Sequence, residues 1–95
     1  MESPYEIAKA GGKHSGFYSV YVSRSSAEVR KAIRSLEKRI LEHQSWIQNP
    51  ELHVPNFYSL DSRQQSALVE SKWVSDIARL QEQKQILEGV FQERR

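Results

Sequence analysis

The sequence predicts an all-α fold: a small helical domain built on two long amphipathic antiparallel helices with short N-terminal helices. Two apolar stripes and three helix starts carry that prediction. Val29, Ile33, Leu36, Ile40, His43 and Ile47 recur at spacings of three and four, as do Trp73, Ile77 and Leu80, with Leu87 and Phe91 further along the same face. Helix starts stand at Ser3-Pro4-Tyr5-Glu6, Ser25-Ser26-Ala27-Glu28 and Asp61-Ser62-Arg63-Gln64. In each, a short polar side chain can cap free amides, and Glu or Gln follows three residues later.

The first helix starts at Ser3 and can run only to about Ala10, because Gly11-Gly12 is a stop of the kind found just past helix ends. Propensity allows a strand over Phe17–Val22, but Phe17, Val20 and Tyr21 share a face at helical spacing, which favours a short helix. A long helix is expected over 26–48, ended by Asn49-Pro50. Residues 50–60 hold two prolines and no period, so they read as a loop pinned by Leu52, Val54, Phe57 and Tyr58. Helices are expected over 61–72 and 75–93, with a bend near Lys72–Ser75 because Ser75-Asp76 could restart a helix. The expected core is Val29, Ile33, Leu36, Ile40, Ile47, Trp73, Ile77, Leu80 and Leu87.

Ninety-five residues fit a single domain, 1–95, with a small core. No apolar run approaches the length of a membrane span, and no charged-then-apolar leader is expected. The absence of cysteine excludes disulfides, thiolate zinc sites and a thiol nucleophile. Charge is uneven. Residues 1–40 carry eight Lys/Arg against four Glu, or +4, and residues 41–95 carry six against eight, or −2. A basic N-terminal half fits an anionic partner, although solvated helix faces give the same composition.

Gly11-Gly12-Lys13-His14-Ser15-Gly16 is the hexapeptide richest in chemistry. It places a lysine, an imidazole and a hydroxyl between glycines at a helix N-terminus, where amides and Lys13 suit a phosphate. A flexible turn with an exposed histidine is the plain alternative. The block lacks the order of a P-loop. His43 occupies a core-edge position, either as a hydrogen-bonded structural histidine or as an imidazole turned into a cleft beside His14. His53 falls in the loop. None of the three histidines pairs at i,i+4, so no metal site is expected, and no cofactor is called for. Arg30, Lys31, Arg34 and Lys38 lie opposite the long helix's apolar stripe, as a solvated face or an RNA-backbone track. Tyr18, Tyr21 and Tyr58 could stack on bases or simply fill a small core.

The stretch Ser3–Phe17, with its Gly-Gly-Lys-His-Ser-Gly block, resembles the C-terminal toxin domains of bacterial polymorphic toxins, the Rhs and contact-dependent growth-inhibition effectors. Ser35-Leu36-Glu37-Lys38, Glu42-His43-Gln44, Ile47-Gln48-Asn49-Pro50, Trp73 and Asp76-Ile77-Ala78-Arg79 extend the likeness over nearly the whole chain. The resemblance implies a warhead cut from a large secreted or cell-surface effector and acting in the target-cell cytoplasm. It further implies a cognate immunity protein. Within that group, small helical warheads resemble tRNA-cleaving ribonucleases, some dependent on translation elongation factor Tu. Carried over position by position, Lys13 and His14 are the first catalytic candidates, with His43 as a third. Gly11, Gly12, Ser15, Tyr18, Arg30 and Arg34 are candidates for phosphate or RNA binding. Two other readings compete: a non-enzymatic helical module that docks on another protein, and a small nucleic-acid-binding protein using the basic face.

Overall fold

The computed structural model describes residues 2–94, and among these every regular element is helical. Helix α1 spans Pro4–Lys9, α2 Ser15–Val22 and α3 Ser26–Gln48. Two 3₁₀ turns, Pro50–Leu52 and Phe57–Ser59, occupy the connecting loop. The C-terminal helix begins as α4 (Ser62–Ser66), passes through π-type turns over Ala67–Lys72 and continues as α5 (Trp73–Gln92). No helix among the described residues is long and apolar enough to cross a membrane.

The helix starts lie where side chains can cap them. Ser3 accepts from the Glu6 amide and Ser25 from the Glu28 amide, each at 3.2 Å. Among the described residues only Asp61 forms the reciprocal box, accepting from the Gln64 amide at 2.9 Å while the Asp61 amide donates to the Gln64 side chain. The restart expected at Ser75-Asp76 is absent, because the chain stays helical from Ser62 to Gln92. The irregularity falls earlier, over Ala67–Lys72. Leu68 and Val69 within these wider i→i+5 turns are half-buried, ahead of buried Trp73.

Helices α3 and α5 run antiparallel. Three cross-links descend in step: the Arg30 guanidinium over the Phe91 ring, Lys84 with Glu37, and His43 with Asp76. Their facing stripes bury Val29, Leu36, Ile40, Leu80, Leu87 and Val90. At the loop end, Trp73 and Phe57 are buried among rings, and His53 stacks on Trp46 at 3.8 Å between centroids. Ile33, Ile47 and Ile77, expected in the core, are only half-buried, since they flank the stripes rather than centre on them. Of the four expected loop pins, Phe57 is buried and Val54 half-buried, but Leu52 and Tyr58 are each 63% exposed.

The short helices α1 and α2 fold back onto α5. Tyr5 lies flat against Gly89, where an added Cβ would overlap its ring. The hydroxyls of Tyr5 and Tyr18 both donate to Glu93, which also pairs with Lys9. Arg94 donates to the carbonyls of Tyr21 and Val22, satisfying the C-terminal end of α2. The α1–α2 hairpin carrying His14 is therefore tied down by the last turn of the described chain.

Candidate functional site

The α1–α2 turn is built by two left-handed backbone positions. Gly11 has φ +96° and ends α1, a conformation that costs glycine little. His14 has φ +67° at the N-cap of α2, where an L side chain is strained. The amides of Gly11 and Gly12 donate to Ala8 and Ile7 carbonyls. They cap α1 and so are not available to a phosphate, contrary to the expectation from the sequence. The free amides belong to the next turn. His14 supplies no side-chain cap, and the amides of Gly16 and Phe17 find no acceptor among the described residues.

The Lys13 ammonium donates to both carboxylate oxygens of Glu82 on α5, at 3.1 and 3.4 Å. The His14 ring packs beside them, its side chain 16% exposed. Its Nε2 is enclosed and lacks a hydrogen bond; the Glu82 carboxylate lies 3.7 Å away, a coulombic contact beyond hydrogen-bond length. The Lys13 hydrogen bond, opposed by partial burial and reinforced by the Lys13 and His14 charges, holds the Glu82 carboxyl below its usual range. Glu82 lies on the Nε2 side of the ring, so in the tautomer protonated at Nε2 the nitrogen with the lone pair is Nδ1. Lysine, imidazole and carboxylate thus form one acid–base cluster.

His43 does not join it. Its Nδ1 lies 2.8 Å from the Arg39 carbonyl and so donates to it, while Nε2 faces Asp76 at 3.6 Å. Asp76 also pairs with Lys72 and Arg79. Burial raises the Asp76 carboxyl, but Lys72, Arg79 and His43 together outweigh burial and hold it below its usual range. Asp76 and Glu82 are six positions apart on α5, about 9 Å along the axis and on different faces. Of the two readings of His43, the cleft shared with His14 is therefore absent; His43 is the hydrogen-bonded histidine at the core edge and belongs to the aromatic cluster at the loop end.

The remaining candidates are dispersed. Ser15 opens α2 next to His14, and its carbonyl accepts from the Ser19 hydroxyl. The Tyr18 hydroxyl is committed to Glu93 and its ring packs edge-on against Tyr5, so it is not free to stack on a base. Arg30 lies over Phe91, and Arg34 is exposed with no ion pair among the described residues. Sequence reasoning missed Glu82, and it anticipated open amides at the helix start without assigning them to Gly16 and Phe17. The contact between Lys13 and Glu82 spans 69 positions, and a polar residue on a helix flank leaves no periodic trace of such a partner.

No protein family, no curated protein and no solved structure matches this chain.

Proposed function

We propose that this chain is a metal-independent ribonuclease toxin domain that cleaves tRNA and is neutralised by a cognate immunity protein. The observation that carries the chemical reading is the juxtaposition of His14, Lys13 and Glu82 beside the open amides of α2. The resemblance of the Gly-Gly-Lys-His-Ser-Gly block supplies the toxin context, a target in the recipient cytoplasm, and elongation factor Tu as a candidate auxiliary partner.

RNA carries its own nucleophile. In the proposed reaction His14 Nδ1 takes the proton from a ribose 2′-hydroxyl, whose oxygen attacks the adjacent phosphorus. The bond to the 5′-oxygen breaks, and that oxygen takes a proton from Lys13. The products are a 2′,3′-cyclic phosphate and a free 5′-hydroxyl. Glu82 offsets the imidazolium charge as it forms, while the Gly16 and Phe17 amides face the phosphate oxygens. Lys13 is 68% exposed on the side chain and free to swing from Glu82 to the phosphate.

The test uses purified protein, total tRNA and a terminal analysis of the fragments. Wild type should leave 2′,3′-cyclic ends. His14→Ala should abolish cleavage without unfolding the domain, and Lys13→Ala should weaken it less completely. In cells, toxicity on induction should be rescued by the neighbouring downstream reading frame. Cleavage by His14→Ala at the wild-type rate would overturn the assignment.

A further inference from the structure

Between α2 and α3 lies an open groove made of two adjoining concavities, about 420 and 240 Å³, which share Tyr21, Ala32 and Ser35. Arg24 and Lys31 border the first and Arg39 the second, against a single carboxylate, Glu28. Lys31 and Arg39 have no ion pair among the described residues. Arg24 meets Glu28 only at 3.5 Å with both side chains more than half exposed, a contact that competes poorly with a multivalent anion.

Resting on the reading of the His14 site as RNA-cleaving, we infer that this groove holds the phosphodiester backbone of a single RNA strand leading into that site. Lys31, Ser35 and Arg39 follow one another at i, i+4 and i+8 on α3. That spacing aligns two cations and a hydroxyl in single file, about 6 Å apart. A row of that kind suits a chain carrying one charge per repeat. The half-buried Tyr21 ring, tilted on Phe17 at 5.0 Å, forms the floor on which a base can stack. The groove also has a direction. Phe17 lies one turn after His14, Gln83 adjoins Glu82, and both line the Arg39 end. A strand entering at Arg24 would leave beside the imidazole. Three cations against one carboxylate suit a polyanion in the groove, while an acidic protein surface would meet the outward row of Arg34 and Lys38, so RNA is the occupant the charge favours.

The test separates binding from cleavage. A short fluorescein-labelled 2′-O-methyl oligonucleotide, which lacks the nucleophile, is titrated by anisotropy at several salt concentrations, with circular dichroism confirming each variant's fold. The Lys31→Ala/Arg39→Ala double variant should bind about tenfold more weakly, and its salt slope should be shallower by about 1.4, at about 0.7 per lost phosphate contact on a single strand. The distant Arg63→Ala should bind as wild type. An unchanged affinity and slope in the double variant would overturn the groove assignment even if the protein cleaves tRNA. Groove-dependent binding by a protein that cuts no RNA would uphold the groove and sink the catalytic reading. Absence of any salt-dependent binding by wild type would also overturn the groove.

Discussion

Replacing His14 by glycine should give a more stable protein than replacing it by alanine, although both remove the imidazole. His14 sits at φ +67° and ψ +20°, and its side chain supplies no cap to α2. An L residue in the left-handed region costs roughly 1–2 kcal/mol relative to glycine. Both variants lose the same ring burial and shed the same enclosed, unbonded Nε2. Those terms cancel in the comparison, which leaves the backbone. Because histidine is among the more tolerant residues there, its own strain lies at the low end, but alanine gains no such relief. The glycine variant should therefore melt higher than the alanine variant by about 1 kcal/mol, or roughly 4–8 °C for a domain of this size. Thermal unfolding followed by circular dichroism gives the number, and both variants should be equally inactive on tRNA. Equal melting temperatures would mean that the turn relaxes out of the left-handed well, and the strain argument would fall.

Glu82→Gln should leave stability within about 1 kcal/mol, since the Lys13 end of the pair is largely exposed and screened by water. It should nonetheless lower kcat on tRNA with little change in KM, and Glu82→Asp should recover part of the loss; a wild-type kcat in the glutamine variant would remove Glu82 from the positioning of His14. Leu36→Ala truncates a buried core side chain and should cost about 2–5 kcal/mol in denaturant titrations, and a loss below 1 kcal/mol would contradict its packing. Gly89→Ala drives a Cβ into the Tyr5 ring and should cost about 1–3 kcal/mol, with Tyr5→Ala in the same chain relieving most of the clash in a double-mutant cycle. Glu93 is held below its usual range first by the Tyr5 hydroxyl and then by Lys9, as Asp76 is by its cationic neighbours. Folded values below unfolded ones contribute stability above the ordinary carboxylate range, near pH 4, and lose it as pH falls through the lowered values. Melting temperature should stay level from pH 7 to about 5 and fall below 4; a loss completed above pH 5 would point to other groups.

The parts of the fold legible in the sequence were those that local chemistry decides. A capping serine, an unbroken stripe and a terminal Asn-Pro together delimit α3 to the residue, because each acts within one or two turns. The C-terminal helix was harder. Ser75-Asp76 carries a genuine start signal, but Trp73 is buried beside Phe57 and Trp46, and continuing the helix keeps it there. Tertiary burial outweighs a local cap worth about 1 kcal/mol. Leu52 and Tyr58 failed as loop pins for the converse reason: hydrophobic side chains in an aperiodic loop have no phase from which to read their direction.

The candidate site divides along the same line. Lys13 and His14 are adjacent in sequence, and their composition alone singled them out, whereas the carboxylate that makes them a cluster arrives from the far end of the chain. The glycines misled for an instructive reason. Glycine at 11 and 12 suggests backbone open to a phosphate, but a glycine just past a helix end first returns its own amides to that helix's last carbonyls. Amides become available only one turn later, at a helix start with no capping side chain, and α2 has such a start because its N-cap position holds histidine. A serine or aspartate at 14 would cap α2 and close the amides only by leaving the left-handed region for the extended backbone that Ser3, Ser25 and Asp61 adopt; a glycine would relax the turn and leave no base. Under the proposed reaction, histidine at this left-handed position keeps the amides open and sets an imidazole beside them, and the backbone strain is the cost of having both.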